Sequence, residues 1–267
     1  MSGFLERVVA ERRADVAIAR ETGPDPLAGG PGPAVRSLVD ALAAARGAQR
    51  LAVIAEVKRI SPALGPLQLE ADVVALARTY EAAGATAISV LTEPRHWGGS
   101  LDDLRAVRAA VGIPVLCKDV VVDGHQIRAA RAAGADAVLL IGEALDDVAL
   151  ESLRREAEAL GMTALVEAHE PDAFDRVLVS GAGIVGVNAR DLRHPERIDP
   201  ERIAVLAPRV GASCFLVAES GIGAVADAAR LPARVDAILV GTALMRAGDP
   251  APLLAALAAI HRVAVPA

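Results

Sequence analysis

The sequence predicts an α/β protein: a single (β/α)8 barrel of the TIM type, preceded by an N-terminal helical extension. Three observations support this fold class. Short apolar runs alternate with alanine-rich stretches of helical character after residue 50. The length of 267 residues suits one such barrel. Hydrophobic residues make up 53% of the chain but aromatic residues only 2%, which is typical of a layered aliphatic barrel core.

Eight apolar runs are the predicted strands of the barrel. Continuous apolar strands that are separated by helices indicate a parallel sheet buried on both faces. An open, doubly wound sheet is the alternative. A GxGxxG motif at the start of the first helix would favour it, but the sequence has no such motif there. The predicted strands are Leu51–Val57, Ala87–Leu91, Pro114–Cys117, Ala137–Ile141, Thr163–Val166, Ile184–Val187, Cys214–Ala218 and Ala237–Val240.

A short repeat precedes every second strand. Gly84–Ala87 and Gly134–Ala137 share a Gly-Ala-X-Ala pattern, Val235–Ala237 is a shortened copy, and Gly181–Ile184 is a looser one. A recurrence at alternate strands indicates stacked βαβ units that close into a ring.

The chain divides into two predicted regions: a helical extension with a linker over residues 1–50, and a catalytic barrel over residues 51–267. Apolar residues at helical spacing predict one amphipathic helix over residues 1–22 and a second over Ala34–Arg46. Gly23–Pro33 between them is rich in glycine and proline, which predicts a linker.

Charge and cysteine content exclude several classes of protein. With 28 basic and 34 acidic residues the net charge is -6, which argues against a nucleic-acid partner. The two cysteines cannot form a disulfide framework, and no Cys/His spacing indicates a metal site. The charged N-terminus and the short apolar runs argue against a signal peptide and a membrane partner. We therefore expect a cytoplasmic protein, in which an anionic small molecule would need a local cationic pocket.

Lysine occurs at only two positions, Lys58 and Lys118, and every other cationic residue apart from histidine is arginine. Arginine keeps its proton near neutral pH, whereas lysine can release it once burial lowers the lysine pKa. Both lysines stand at carboxyl ends of predicted strands, where the active sites of such barrels lie. This placement favours catalysis over two surface lysines retained by chance.

Charged residues end four odd-numbered strands. Side chains alternate along a strand, so Glu56 and Lys58 share one face, and Lys118, Glu167 and Glu219 stand at equivalent positions. If these faces point inward, two ammonium groups and three carboxylates surround one small volume. A single glutamate at a strand end is more often just solvated, but neighbouring Lys and Glu shift each other's pKa values as acid–base catalysis requires.

The ends of the seventh and eighth strands predict a phosphate site. Ser220, Gly221, Gly241 and Thr242 offer hydroxyl groups and backbone amides, and helical segments follow them. Such loops are the usual phosphate site of this fold. The alternative is that the glycines merely permit tight turns.

Other features are less specific. Trp97, the only tryptophan, would either cover a substrate ring at the barrel mouth or anchor a loop. Ser61 and Pro62 follow Lys58 in a long loop that is a candidate lid. Cys117 should point away from the barrel interior and pack in the core. The five histidines are expected to be polar loop residues or orienting groups.

Several of these segments together resemble one enzyme family. Ala55–Pro62 resembles the first-strand signature of indole-3-glycerol phosphate synthase. No single motif is specific, but the whole set is, and it covers nearly the whole chain in order. The match continues through Gly98–Ser100, Cys117–Asp119, Leu165–His169, Val187–Leu192, Ala218–Ile222 and Leu239–Met245.

The resemblance implies a reaction of tryptophan biosynthesis. The family converts 1-(2-carboxyphenylamino)-1-deoxyribulose 5-phosphate into indole-3-glycerol phosphate, with loss of carbon dioxide and water. It implies a phosphorylated small-molecule substrate, no metal and no organic cofactor. We expect a monomer that makes at most transient contacts with other enzymes of the pathway.

The resemblance also implies residue roles. Lys118 would protonate the ketone as the ring carbon attacks it, Glu167 would serve as acid or base in the dehydration, and Lys58 would lie beside the anthranilate carboxylate. The predicted catalytic residues are Glu56, Lys58, Lys118, Glu167 and Asn188. The predicted substrate-binding residues are Ser61, Pro62, Trp97, Arg190, Glu219, Ser220, Gly221, Gly241 and Thr242.

Two departures from the family and two alternatives accompany this interpretation. The family often has Phe where Val120 stands and Ser where Ala63 stands, which would loosen the ring pocket and remove a hydroxyl. The sister phosphoribosyl-anthranilate isomerase would need Cys at the end of the first strand and Asp at the position of Asn188. A non-catalytic barrel that binds a phosphorylated ligand or a partner protein would have no need of both lysines.

Overall fold

In the computed structural model, which describes residues 3–262, eight parallel strands form a closed barrel. Each strand pairs with its neighbour along the chain, and the last pairs with the first. This confirms the predicted barrel and excludes the open sheet. The barrel strands are β1 Ala52–Val57, β2 Ala87–Leu91, β3 Val115–Lys118, β4 Ala137–Ile141, β5 Thr163–Ala168, β6 Ile184–Asn188, β7 Phe215–Glu219 and β8 Ala237–Val240.

The predicted strands are all found, and every strand end lies within two residues of its predicted position. The differences are systematic. β3, β6 and β7 continue through Lys118, Asn188 and Glu219, the polar residues that follow their apolar runs. A prediction from hydropathy ends each strand at its last apolar residue. In the structure, pairing with the neighbouring strand continues further, into the barrel mouth.

Helices surround the barrel and cover its ends. A two-residue hairpin, Ile60–Ser61 paired with Gly65–Pro66, follows β1. Within residues 3–262, no helix has both the length and the apolar character needed to cross a membrane. The helices are α1 Phe4–Thr22, α2 Leu38–Gly47, α3 Val73–Ala82, α4 Leu101–Ala110, α5 Gly124–Ala132, α6 Asp147–Ala159, α7 Pro171–Val179, α8 Glu201–Leu206, α9 Val225–Ala229, α10 Thr242–Arg246 and α11 Ala251–Ala258.

Buried apolar side chains form two clusters. The outer cluster lies between the strands and the surrounding helices and includes Cys117, which therefore points away from the barrel interior as predicted. The inner cluster contains Ile54, Leu116, Leu165 and Val217 of the four odd strands that carry charged ends. Because side chains alternate along a strand, the residues two positions further on face the same interior.

The variable residue of the repeat has a structural function at the amino end of the barrel. In three copies its side chain accepts the N–H at the start of the neighbouring odd strand, and this bond supports the register of the ring. In the looser copy Gly183 has no side chain to make this bond. Its carbonyl oxygen accepts the Phe215 N–H of the following odd strand (2.9 Å), as the Asp136 carbonyl accepts the Thr163 N–H (3.2 Å). The three side-chain bonds are Thr86 with Val53 (3.2 Å), Asp136 with Val115 (2.8 Å) and Asp236 with Leu216 (2.8 Å).

The two N-terminal helices contact opposite ends of the barrel. Leu38 and Leu42 of α2 join the inner cluster at the amino end, while Leu5 and Val8 of α1 join it at the mouth. The Phe4 N–H donates to the Arg193 carbonyl in the loop after β6 (3.0 Å).

The helix predicted over Ala34–Arg46 begins only at Leu38. Before it, the Arg36 N–H is bonded to an Asp136 carboxylate oxygen (2.7 Å), and Ser37 caps the helix by accepting the Asp40 N–H (3.0 Å). Gly23–Pro33 forms neither helix nor strand, as predicted. The division at residue 50 stays a prediction, and its outer ends at residues 1–2 and 263–267 lie outside the described residues.

Candidate active site

A cavity of about 450 Å³ opens at the carboxyl ends of the strands. Every residue that the sequence predicted for the site lines this cavity. The predicted residues found there are Glu56, Lys58, Ser61, Pro62, Trp97, Lys118, Glu167, Asn188, Arg190, Glu219, Ser220, Gly221, Gly241 and Thr242.

The charged side chains converge over the barrel interior. The Lys118 ammonium lies 2.5 Å from a Glu219 carboxylate oxygen and 3.4 Å from a Glu167 oxygen. The Lys58 ammonium lies 2.7 Å from a Glu56 oxygen. The alternation along the odd strands therefore predicted the correct faces.

Two glycines make room for these carboxylates. A Cβ atom at Gly186 would stand 2.4 Å from a Glu219 oxygen and 3.0 Å from the Glu167 Cβ. A Cβ atom at Gly241 would stand 2.3 Å from a Glu56 oxygen. Because each side chain would collide with a carboxylate, the charged cluster requires glycine at both positions.

The pKa of Lys118 differs from the expectation based on sequence. Burial lowers the pKa of Lys118, but the carboxylates of Glu167, Glu219 and Glu56 raise it by more, so the pKa lies above that of an ordinary lysine. The expectation of a lysine pKa lowered by burial is therefore wrong for Lys118. Sequence reasoning located the carboxylates but did not weigh three of them against burial.

Glu219 and Glu56 respond in opposite directions. Burial and the Glu167 carboxylate raise the pKa of Glu219 well above the ordinary value, against the opposing effect of Lys118. Burial also raises the pKa of Glu56, but Lys58 and Lys118 lower it by more, and the net shift is downward.

The end of the cavity that the sequence predicts to bind phosphate lies between β7 and α10. Ser220 and Gly221 have φ values of 67° and 75°, a conformation that is strained for serine and typical of functional loops. At the first turn of α10, which begins with Thr242, the backbone N–H groups have no intrahelical partner. Arg246 at the end of α10 also lines the cavity, and sequence reasoning missed it.

Trp97 lies at the cavity wall, where it packs against other aromatic rings. It lines the cavity, and its ring centroid lies 5.7 Å from that of Phe4 and 6.1 Å from that of His96. The backbone N–H of Trp97, not its indole, donates to the buried Glu93 carboxylate (3.2 Å), so this bond holds the loop independently of the tryptophan side chain. Phe4 and its neighbour Leu5 line the cavity too, a contribution that sequence reasoning missed. The amphipathic pattern of residues 1–22 predicted that one face of the helix is buried, but not which part of the protein it packs against.

Comparison with known proteins agrees with this geometry. A family model for indole-3-glycerol phosphate synthase matches residues 5–257. The chain is 49% identical to an indole-3-glycerol phosphate synthase of Mycolicibacterium gilvum, over 94% of this chain and 90% of the relative. It is also 49% identical to one of Parafrankia sp., over 95% of this chain and 94% of the relative.

Similarity to solved structures extends to other barrels and shows the fold alone. The tryptophan synthase alpha chain of Legionella pneumophila superposes with a TM-score of 0.62 at 15% identity, covering 84% of this chain and 96% of its own. A 3-hexulose-6-phosphate synthase gives a TM-score of 0.62 at 19% identity, covering 78% and 99%. The match along residues 5–257 and the close relatives decide the family: the chain belongs to the indole-3-glycerol phosphate synthases.

Proposed function

We propose that the cavity at the barrel mouth carries out the reaction of this family, the closure of the indole ring in tryptophan biosynthesis. The substrate is 1-(2-carboxyphenylamino)-1-deoxyribulose 5-phosphate, and carbon dioxide and water leave as indole-3-glycerol phosphate forms. The observation that supports this most is the convergence of both lysines with Glu56, Glu167 and Glu219 in one cavity.

Lys118 is the general acid of the first step. The substrate ring carbon attacks the ketone carbon, a C–C bond forms, and the ketone oxygen gains negative charge and takes a proton from the ammonium group. Because the neighbouring carboxylates raise the pKa of Lys118, the proton is in place before substrate arrives. An alkoxide is a stronger base than an amine, so the transfer remains favourable as charge develops.

The carboxylate of the substrate leaves as carbon dioxide, and Lys58, whose ammonium is paired with Glu56 at 2.7 Å, interacts with that carboxylate before it leaves. Glu167 then acts in the dehydration, as the base or acid that moves a proton when water departs. Its oxygen lies 3.4 Å from the Asn188 amide and 3.4 Å from the Lys118 ammonium, which hold it at the cavity wall. Glu56, Asn188 and Lys58 orient the reacting groups.

The phosphate of the substrate binds at the other end of the cavity. Ser220, Gly221, Gly241 and Thr242 contribute hydroxyl and amide groups, and Arg246 adds a positive charge that the sequence prediction did not include. Arg190 and Glu219 complete the polar lining, while Trp97, Ser61 and Pro62 border the aromatic ring. Arginine suits a phosphate that must be held without proton transfer.

The remaining proposals concern the protein as a whole. We propose a cytoplasmic monomer that needs no metal or organic cofactor and makes only transient contacts with other enzymes of the pathway. Two free thiols, at Cys117 and Cys214, support a reducing compartment.

The decisive test is turnover of the carboxyphenylamino ribulose phosphate, followed by the indole fluorescence of the product. We expect wild-type protein to form the product without added metal and in the presence of a chelator. Phosphoribosyl anthranilate is the control substrate, because the sister isomerase would turn it over instead. Turnover of the control alone would contradict the proposed function.

A further inference from the structure

Two side chains outside the predicted site lie directly behind Glu167 and Asn188. We propose that His169 is a positioning residue that holds Asn188, and through it Glu167, and that Glu143 fixes the backbone of His169. The inference rests on the proposed function, since it concerns the placement of Glu167 for the dehydration. Neither side chain lines the cavity.

His169 links the carboxyl ends of β5 and β6. Its side chain is buried, with the residue 4% exposed, and Nδ1 lies 2.8 Å from the backbone carbonyl oxygen of Asn188. A carbonyl oxygen only accepts, so the ring must carry a proton on Nδ1. The other ring nitrogen, Nε2, lies 3.8 Å from a carboxylate oxygen of Glu170, beyond hydrogen-bond distance.

Asn188 is held at two points, and its amide group is left for Glu167. The backbone oxygen accepts from His169, and the side-chain oxygen accepts the Arg190 N–H at 3.0 Å. With both oxygens engaged, the side-chain nitrogen faces a Glu167 carboxylate oxygen at 3.4 Å. A rotation of Asn188 would break at least one of these bonds, so the amide has a single orientation toward Glu167.

Glu143 holds the chain where it leaves β5. One oxygen of its carboxylate accepts the His169 N–H at 2.6 Å and the Glu170 N–H at 2.8 Å. These amides precede α7 and follow Glu167 within three residues. Glu143 comes from the turn after β4, and burial raises the pKa of its carboxyl. Glu143 and His169 therefore connect the carboxyl ends of β4, β5 and β6 behind Glu167, the carboxylate that must move a proton.

The chain offers a matched pair of substitutions as a test. In His169→Asn the amide nitrogen takes the place of Nδ1 and can still donate to the Asn188 carbonyl. In His169→Gln the amide nitrogen lies near the place of Nε2 instead. We expect kcat to fall by about 10- to 100-fold in His169→Gln, because small displacements of a reacting group cost this much. His169→Asn should keep most of the wild-type kcat.

The kinetic readout separates positioning from mere stability. We expect KM to stay within about twofold in both variants, because the phosphate and ring contacts are untouched. Rates are referred to folded protein, which is measured by thermal melting and circular dichroism. Equal kcat values in the two variants, or a loss that follows the folded fraction alone, would overturn the inference.

A second measurement does not depend on turnover. Nitrogen-15 spectra of the five histidines report the tautomer of each ring, and the signal missing from His169→Asn assigns His169. We expect the Nδ1–H tautomer. An active wild-type protein with the Nε2–H tautomer would overturn this inference alone. An inactive wild-type protein would overturn the proposed function and the kinetic part of the inference together.

Discussion

Buried carboxylates have different partners at the two ends of the barrel. At the amino end, the Asp136 carboxylate is bonded to the Arg36 N–H and the Arg108 guanidinium and also accepts a strand N–H. The Asp236 carboxylate is bonded by the guanidinium groups of Arg46 and Arg234 and also accepts a strand N–H. At the mouth, the carboxylates of Glu56, Glu167 and Glu219 face lysine ammonium groups. One Glu219 oxygen has no partner among the described residues, whereas Asp119 is bonded by Arg12.

Arginine and lysine differ in what they can do for a buried carboxylate. Arginine keeps its proton and presents a rigid fork, so it satisfies a buried acid permanently. Lysine is a point charge that can exchange a proton with its surroundings. The amino end therefore fixes the ring, while the mouth keeps groups whose protonation can change during a reaction. Four tests of this contrast follow, in order of decreasing expected effect.

The largest effect is expected at Lys118. Lys118→Ala removes the general acid, and Lys118→Arg keeps a positive charge that cannot release its proton near neutral pH. We expect kcat to fall by about 10²- to 10⁴-fold in both variants, the usual contribution of a positioned acid. The indole-fluorescence assay measures the rate, and binding of the product measures the affinity.

Folding and ligand binding should remain largely intact in Lys118→Ala. Near wild-type turnover in this variant would show that another group protonates the ketone. High activity in Lys118→Arg would contradict the contrast between the two cations.

At the amino end we expect the opposite outcome, a loss of stability with little effect on rate. Asp136→Ala leaves the buried Arg108 guanidinium without its carboxylate partner. The free energy of unfolding should fall by about 3–5 kcal/mol, measured by urea denaturation. The kcat of the folded fraction should be unchanged, and a specific loss of kcat would show that the two ends are coupled.

A third test compares two Gly→Ala substitutions, one inside β6 and one at the residue before it. Gly186→Ala places a Cβ against the Glu219 and Glu167 side chains, and overpacking of this kind costs about 1–3 kcal/mol. We expect it to lower kcat by displacing both carboxylates. Gly183→Ala at the other end of the strand is the control, because a Cβ there has no atom within 4 Å. Equal kcat values in the two variants would mean that the carboxylates tolerate displacement.

The smallest effect concerns pH. The folded-state pKa of Glu219 is raised, so between the ordinary carboxyl pKa and this higher value the folded state binds more protons than the unfolded state. Stability is then lost as pH rises through that window. Glu219→Gln should flatten this loss and increase stability at neutral pH, measured by urea denaturation across pH. Glu56→Gln should act oppositely, because the pKa of Glu56 is lowered. The same sign for both variants would contradict these assignments.

The fold was largely predictable because the barrel strands are both apolar and short. Their alternation also placed Lys118, Glu167 and Glu219 on the correct face, since that depends only on counting residues along a strand. Strand ends such as Lys118 and Asn188 were missed by a residue, because pairing rather than hydropathy ends a parallel strand.

Other features of the site could not be predicted because they depend on contacts between distant segments. Phe4 reaches Trp97 only after α1 crosses the mouth. Lys118 lies closer to Glu219 than to Glu167, and ångström-scale geometry decides that choice. The raised pKa of Lys118 follows from the balance of burial against three carboxylates, which no local pattern shows.

The position of α2 has a consequence for how the protein assembles. Arg46 bonds to Asp236, which follows it by 190 residues, and stacks over the Phe215 ring at 3.9 Å. α2 is synthesised early, yet the contacts of Arg46 with Phe215 and Asp236 can form only after β7 and the residue before β8 have been made. Contacts so distant along the chain make folding slow and late. A nascent chain that ends before Asp236 should therefore lack the Arg46–Asp236 bond, so the N-terminal extension is secured only when the end of the barrel has been made.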